Sequence, residues 1–224
     1  MTEQDPTRRV PLTRETVLRE AVALADESGT AALSMRGLAR RLGIEAMSLY
    51  HHVANKDAIL DGMVDAVFAE VEAPAIDGDW RSAIRARCSS LRHVLVRHPW
   101  AVGLLESRTS PGPETLRHHD RVLGCLRRAG FTIAGAGHAY ALLDSYVYGF
   151  ALQENAVPFD PSGQTPEELA ALATAIMADF PRDELPSMAE MTAYALRPGY
   201  AFADEFEVGL DVVLDGLDAH RATW

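Results

Sequence analysis

The sequence predicts an all-α fold, in which a small N-terminal domain of three helices precedes a larger helical domain. Apolar residues recur every three or four positions through nearly every segment, as on the buried face of an amphipathic helix. Ser, Thr and Asn stand where these segments begin, and Gly or Pro stands where they end. No stretch shows the strict alternation of a half-buried strand. With 224 residues, of which 48% are hydrophobic, the chain is long enough to bury a sizeable core.

The N-terminal domain is expected over residues 13–55, behind a flexible arm formed by residues 1–12. Thr13 fits the N-cap of a first helix, which ends at Gly29. Gly43 separates two shorter helices, because glycine tolerates the positive φ that a tight turn requires. These shorter helices are predicted over residues 34–41 and 45–52.

The second domain is expected over residues 56–224, and it begins with a connecting helix over residues 56–72. Asn55 fits the N-cap of this helix, and Pro and Gly interrupt the helical pattern in residues 72–79 and 160–166. Further helices are predicted over residues 80–98, 100–107, 114–129, 133–154, 167–180, 187–196 and 201–219.

Charge is distributed unevenly along the chain, which has a net charge of −11. Residues 1–60 carry eight basic and eight acidic side chains, so the whole acidic excess lies in residues 61–224. A less acidic N-terminal domain on an acidic body is compatible with binding DNA, although it forms no basic stripe. The start lacks the apolar core of a secretory signal, and no apolar run reaches the length of a membrane span. We therefore expect a cytoplasmic protein without membrane contact.

The cysteines and adjacent histidines give little sign of metal chemistry. Cys88 and Cys125 lack the close pairs of a zinc site and are interpreted as buried thiols, with a redox role as the alternative. His118-His119-Asp120 has residue types found in metal sites, but adjacent side chains on a helix point about 100° apart. A solvated helix surface is therefore expected there, and no metal or cofactor is predicted.

Residues 34–53 carry the pattern of a helix-turn-helix, with an arbitrary helical hairpin as the alternative. Ala39 offers a small side chain where the two helices cross, and Gly43 follows four positions later at the turn. The inner faces are expected to bury Leu38, Leu42, Ile44, Leu49 and Val53. The outer face of the helix over residues 45–52, which would lie along base edges in a major groove, carries Ala46, Met47, Ser48, Tyr50, His51 and His52.

This segment resembles the N-terminal domain of the tetracycline-repressor family of bacterial regulators. The resemblance rests on the helix over residues 36–42, Gly43-Ile44, the Leu-Tyr-His-His-Val run of residues 49–53, Asn55-Lys56 and residues 57–60. A looser similarity to the effector domain of the family's namesake covers most of the remaining chain. It rests on Trp80, His98-Pro99-Trp100, Ala129-Gly130-Phe131 and Tyr148-Gly149-Phe150.

The resemblance implies that nine residues contact DNA. Arg36 would touch a base or a phosphate, and it is suited to bidentate reading of guanine. Tyr50 and His52 would contact the phosphate backbone, and Lys56, the only lysine of the chain, would meet a phosphate at the start of a helix. Four others would face the bases. The nine residues are Ser34, Arg36, Ala46, Met47, Ser48, Tyr50, His51, His52 and Lys56.

Two features of this set depart from the family's namesake or leave alternatives open. Ala46 and Met47 stand where the namesake has polar or proline residues, so we expect contact with thymine methyl groups in place of hydrogen-bonded adenine reading. For Met47 the alternative is packing on the preceding helix. Arg8 and Arg9 either reach DNA as a flexible arm or belong to a solvated tail.

The resemblance also implies a cavity for a small-molecule effector. Arg87 and Leu105 correspond to a drug-binding asparagine and a magnesium-holding histidine of the namesake, so we expect a metal-free, largely apolar effector with an anionic or carbonyl group facing Arg87. The polar residues of the long helix over residues 133–154 either line this cavity or occupy hydrogen-bonded core positions. The candidate effector residues are Arg87, Leu91, Leu105, Val122, Tyr140, Asp144, Tyr148 and Gln153.

A homodimer is implied through the helices over residues 133–154 and 201–219. A two-fold pair addresses two DNA half-sites, which compensates for the weak binding of one short helix. The last helix carries an apolar stripe suited to such an interface, with a core inside one chain as the alternative. The stripe comprises Phe202, Phe206, Leu210, Val213, Leu214 and Leu217.

These patterns together predict a ligand-responsive transcriptional regulator, a repressor that binds a palindromic operator in double-stranded DNA as a homodimer and leaves it when the effector binds. The alternatives are a helical effector-binding protein without DNA binding and an α-helical enzyme. The sequence has no phosphate-cradling glycine loop and no nucleophile elbow, which argues against an enzyme.

Overall fold

A computed structural model describes residues 12–105, 107–108, 110–156, 165, 168, 171, 174–176, 178, 180–197 and 199–224. Helices and connecting turns account for these residues, none of which lies in a strand, so the all-α prediction is confirmed. Within the same ranges, no helix is both long and apolar enough to span a membrane. The helices are α1 (Arg14–Ser28), α2 (Met35–Leu42), α3 (Ala46–Leu49), α4 (Lys56–Glu70), α5 (Trp80–Arg97), α6 (Ala101–Leu105), α7 (Pro113–Arg128), α8 (Ile133–Ala156), α9 (Pro186–Ala195) and α10 (Glu205–His220).

Side-chain caps fix the starts of the N-terminal helices where the sequence predicts them. Thr13 Oγ1 accepts a hydrogen bond from the backbone N–H of Thr16 at 3.1 Å at the start of α1. Asn55 Oδ1 accepts from the N–H of Ala58 at 2.8 Å at the start of α4. Each such cap satisfies a backbone donor that the helix itself leaves open, and it stabilises the helix by about 1 kcal/mol.

Two predicted helices differ from the structure by more than two residues at one end. The helix expected over residues 45–52 is α3, which ends at Leu49. Beyond it, the N–H groups of Tyr50 and His52 donate to carbonyls three positions back, at 3.2 and 2.9 Å, so the α-helical hydrogen-bond pattern gives way to tighter turns. The helix expected over residues 201–219 starts at Glu205, after a 3₁₀ turn over Phe202–Asp204. The predicted arm lies outside the described residues except for residue 12, as does much of the helix expected over residues 167–180.

The described residues up to Ala129 form one compact unit, which contains α1 to α7. Helix α4 is central to it, because α4 packs against α1, α5, α6 and α7. A polar cluster joins the ends of three of its helices: His98 Nδ1 lies 2.7 Å from Asp26 Oδ1, and His98 Nε2 lies 3.4 Å from the Glu70 carboxylate. The indole Nε1–H of Trp100 donates to the same Asp26 oxygen at 2.6 Å.

The residues from Gly130 onward form a second unit, in which α8 packs against α10. The hydroxyl of Tyr146 on α8 donates to the carbonyl of Phe206 at 2.8 Å, and the two rings stack with centroids 5.5 Å apart. The apolar stripe predicted for dimerisation is therefore core of the single chain for most of its length. Its buried members are Phe206, Leu210, Leu214 and Leu217, which corrects the interpretation of this stripe as an interface.

Candidate nucleic-acid interface

Helices α2 and α3 form the predicted helix-turn-helix. Gly43 ends α2 with φ of 67° and ψ of 32°, a left-handed conformation that an L residue adopts only with strain. The N–H of Ile44 donates to the carbonyl of Ala39 at 3.0 Å, which closes the turn. Leu38, Ala39 and Leu49 are buried in the joint core with α1 and α4. These contacts set the orientation of α3 against α2.

The outer face of α3 and of the turns after it remains open to solvent. The side chain of Met47 is 73% exposed, so Met47 does not pack on α2, and this favours the interpretation in which it faces DNA. Tyr50 and His51 are exposed, whereas Ala46, Ser48 and His52 are half-buried. The predicted base-facing and phosphate-facing residues of this segment thus occupy one short stretch with an accessible surface.

Two exposed basic side chains belong to the helices that precede and follow this segment in the chain. Arg36 is exposed on the first turn of α2, and Lys56 is exposed on the first turn of α4. Because a helix N-terminus carries partial positive charge, Lys56 adds a full charge where a phosphate is already favoured. Ser34 is also exposed, and its Oγ accepts the N–H of Gly37 at 3.1 Å as the N-cap of α2.

Arg41, one residue before the end of α2, has a structural role that the sequence pattern did not reveal. Its guanidinium donates two hydrogen bonds to the Glu27 carboxylate, at 2.6 and 2.7 Å, and one to Glu20 Oε2 at 3.1 Å. Both glutamates belong to α1, so this clasp fixes α2 against α1. The hydrogen bonds from Arg41 lower the pKa of the Glu27 carboxyl below its ordinary value.

Helix α4 is held by contacts from the segment between α6 and α7. Arg108 Nε donates to Asp61 Oδ1 at 2.6 Å, and its terminal nitrogens lie 3.3 Å from Asp57 Oδ1. The N–H and the hydroxyl of Thr115, at the start of α7, donate to Asp65 Oδ1 at 2.8 and 3.1 Å. Three successive turns of α4 are thereby tied to residues near α6 and α7.

Four of the candidate effector residues belong to the first unit. Arg87, Leu91 and Val122 are buried, and Leu105 is half-buried at the end of α6. Arg87 Nε donates to His118 Nε2 at 2.9 Å, which requires that nitrogen to carry no proton.

His118 itself corrects the expectation of a solvated surface, because its side chain is 3% exposed and packs on the Phe68 ring with centroids 5.4 Å apart. No local pattern indicates this burial, since Arg87 stands 31 positions earlier on another helix.

The other four candidate effector residues belong to the second unit. Asp144 is buried and accepts a hydrogen bond from the hydroxyl of Tyr148 at 3.1 Å, one helical turn further along α8. Tyr140 is half-buried and Gln153 is exposed. Within the described residues, no three His, Cys, Asp or Glu side chains are grouped so as to hold a metal ion. Cys88 and Cys125 are both buried free thiols, and burial raises the pKa of Cys125.

Two family descriptions match this chain over adjoining ranges. Residues 17–63 are similar to the bacterial regulatory proteins of the tetR family. Residues 73–221 are similar to the tetracyclin repressor-like C-terminal domain. The first range contains α2, α3 and the start of α4, and the second contains α5 to α10.

Individual relatives extend these matches over most of the chain. An HTH-type transcriptional regulator of Saccharopolyspora erythraea is 40% identical over 171 residues, which span 76% of this chain and 72% of the relative. An HTH-type transcriptional repressor of Streptomyces coeruleorubidus is 33% identical over 219 residues, and the match covers 92% of this chain and 77% of the length of that relative. The structure of the TetR family protein ActR of Streptomyces coelicolor in complex with actinorhodin is 28% identical, with a TM-score of 0.74, and the match covers 96% of this chain and 100% of that one.

Proposed function

This chain belongs to the tetR family of bacterial regulatory proteins, and we propose that it represses transcription as a homodimer on a palindromic operator, from which a small, largely apolar effector releases it. The family makes it a DNA-binding transcriptional regulator. The observation that carries the proposal is the accessible outer face of α3, together with the exposed cations Arg36 on α2 and Lys56 on α4. Repression is supported by the Streptomyces coeruleorubidus relative, which is a repressor.

The nine predicted DNA contacts have complementary tasks in this proposal. Ala46, Met47, Ser48 and His51 face the bases, and Met47 provides an apolar contact for a thymine methyl group. Tyr50, His52 and Lys56 bind phosphates, which fixes the position of the protein on the duplex. Arg36 reads a guanine or binds a phosphate, and Ser34 lies at the edge of the interface.

The dimer is proposed to form through α8 and α10, by faces other than the buried stripe. Both helices expose large apolar side chains, of which Val208 and Val212 lie one turn apart on the same face of α10, and an exposed apolar face is typical of a protein interface. We expect Val212→Glu to convert a dimer into a monomer in sedimentation velocity and to weaken operator binding, whereas Val96→Glu, an exposed control on α5, leaves the mass unchanged. The exposed apolar residues are Ile133, Leu142 and Leu152 on α8 and Val208 and Val212 on α10.

Effector release is proposed to act through α4. This helix continues directly from the helix-turn-helix, carries Lys56, and is tied to the α6–α7 segment through Arg108 and Thr115. An effector that binds better to a state with α4 tilted changes the distance between the two α3 helices of the dimer, so that they no longer match the half-sites. An effector that leaves operator affinity unchanged at saturation would contradict this mechanism.

The effector is proposed to be a metal-free small molecule with an anionic or carbonyl group directed toward Arg87. The ligand-bound structure of ActR supports a small-molecule effector for this chain. Thermal-shift screening tests the class: we expect stabilisation by apolar compounds bearing a carboxylate or carbonyl, in the presence of a chelator. Stabilisation by metal chelates alone would contradict it.

DNA binding is tested by electrophoretic mobility shift with DNA from upstream of the chain's own gene, because repressors of this kind are expected to control neighbouring transcription. We expect a shift that weakens steeply as the salt concentration rises. No salt-sensitive shift with any fragment of the source genome would overturn the proposed function.

A further inference from the structure

Helix α2 carries three arginines, and the structure separates them into two kinds. Arg41 points toward α1 and is clasped by Glu20 and Glu27. Arg36 and Arg40 are four positions apart, so they lie on the same side of the helix, one turn above the other. Both are exposed, and neither has an ion pair with any residue that the structure describes.

The acidic residues around the helix-turn-helix are largely neutralised. Arg41 pairs with Glu20 and Glu27, at 3.1 and 2.6 Å. Arg108 pairs with Asp57, the acid next to Lys56, and with Asp61, at 3.3 and 2.6 Å. These acids therefore oppose the approach of a DNA backbone less than their number suggests.

Residues 34–56 themselves carry four basic side chains and one acid, Glu45. With Arg41 occupied by α1, the cations left for a ligand are Arg36, Arg40 and Lys56. Arg36 and Lys56 already have roles in the proposed interface. Arg40 has the same exposure and the same helix face as Arg36, and nothing within the described residues satisfies its guanidinium.

We propose that Arg40 binds a backbone phosphate of the operator DNA and so helps to place α3 in the groove. In helix-turn-helix complexes the first helix crosses the sugar-phosphate backbone while the second enters the major groove. Arg40 lies on that first helix, away from its buried side at Leu38 and Ala39. A guanidinium binds a phosphate with two parallel hydrogen bonds, which makes it suited to this contact. The inference rests on the proposed DNA contacts of this chain.

The salt dependence of binding tests this role. Each phosphate contact contributes about 0.9 to the slope of log affinity against log salt, so a dimer of Arg40→Gln should lose about 1.8 from the slope. By the same relation, affinity at about 0.15 M salt should fall by roughly 30-fold. The fold-loss of affinity should be equal for a duplex from the upstream DNA that the wild-type protein binds, here called the selected duplex, and for a scrambled version of it. Phosphates carry no sequence information, so a phosphate contact contributes equally to both.

Two variants provide the controls. Arg40→Lys keeps the charge, so it should retain most of the slope. Arg117→Gln removes the same charge from an exposed position on α7, where Arg117 pairs with Glu114, and it should leave the slope unchanged. Thermal unfolding should show all three variants folded, since each side chain is exposed.

An unchanged slope for Arg40→Gln would overturn the inference, as would an equal loss for Arg117→Gln. A loss confined to the selected duplex would also overturn it, because that result indicates base reading. If the wild-type protein bound no duplex at all, both the proposed function and this inference would fail. The wild-type titration alone identifies that outcome, before any variant is measured.

Discussion

The outer face of α3 and the Arg87–His118 pair lie in the same compact unit, yet they hold polar residues in opposite ways. The side chains of Met47, Tyr50 and His51 are exposed, so packing within the chain constrains them little, and their proposed role is to contact DNA. Arg87 and His118 are both buried, and each depends on the other for a hydrogen bond. Substitutions on the outer face should therefore change affinity, whereas substitutions in the pair should change the free energy of unfolding.

The largest difference in the free energy of unfolding is expected between two substitutions within α3. Leu49 is fully buried, so Leu49→Ala should lower the free energy of unfolding by about 3 kcal/mol through lost burial and a cavity. Met47→Ala should change it by less than about 0.5 kcal/mol, because its side chain is in solvent. Urea unfolding measures both. Equal losses for the two variants would show that the accessible face is also part of the core.

The buried pair should give a smaller but still clear loss of stability. His118→Leu leaves the Nε–H of Arg87 without this acceptor, which should lower the free energy of unfolding by about 2 kcal/mol. His93→Leu, at an exposed position on α5, is the control and should have little effect. Operator affinity of the folded protein should be the same in both variants. A large loss of operator affinity in His118→Leu alone would contradict this expectation, because it would show that the buried pair also affects DNA binding.

Ser34 belongs to both sides of the comparison, because it caps α2 and is a proposed DNA contact. Ser34→Ala removes the acceptor for the Gly37 N–H and should cost about 1 kcal/mol. Ser34→Asp keeps a cap and adds a negative charge that helix α2 favours at its N-terminus but a phosphate repels. We expect it to retain stability and to weaken DNA binding. Calorimetry and anisotropy titration separate the two effects, and unchanged binding would remove Ser34 from the interface.

The clasp of Arg41 should give the smallest effect, because Glu27 is exposed and Glu20 remains partly accessible to solvent. The pKa of Glu27 is lowered in the folded state, so its stabilising contribution is present above the ordinary value of 4.5 and is lost as the pH falls through the folded value. The melting temperature of Glu27→Gln should thus lie slightly below wild type near neutral pH, and the difference should shrink in acid. A difference that grows on acidification would contradict this sign.

Local signals in the sequence were sufficient for much of the DNA-binding region. Thr13 and Asn55 cap helices where they were predicted to, since a cap involves residues only three positions apart. The left-handed Gly43 and the buried Leu49 follow from the same short pattern. The assignment to the tetracycline-repressor family, made on this segment, is confirmed by the matches over residues 17–63 and 73–221.

Other features depend on partners that are distant in the sequence. The burial of His118 is decided by Arg87 and Phe68 on other helices, and the clasp of Arg41 is decided by acids on α1. The stripe on α10 has a helical period whether it faces a partner chain or α8, so periodicity alone did not distinguish an interface from a core. The eight candidate effector residues come from both compact units, and their role in binding an effector stays a prediction.

The cluster of Asp26, His98 and Trp100 has a consequence for exchanging domains between relatives. A chimera that replaced residues up to about position 55 would also replace Asp26. The carboxylate of Asp26 is the hydrogen-bond partner of both His98 and Trp100, which the chimera would keep. Glu70 would then hold the other ring nitrogen alone. Grafting a new DNA specificity onto the rest of this chain should therefore succeed best when the donor retains an aspartate at that position, or when residues 98–100 are transferred along with it.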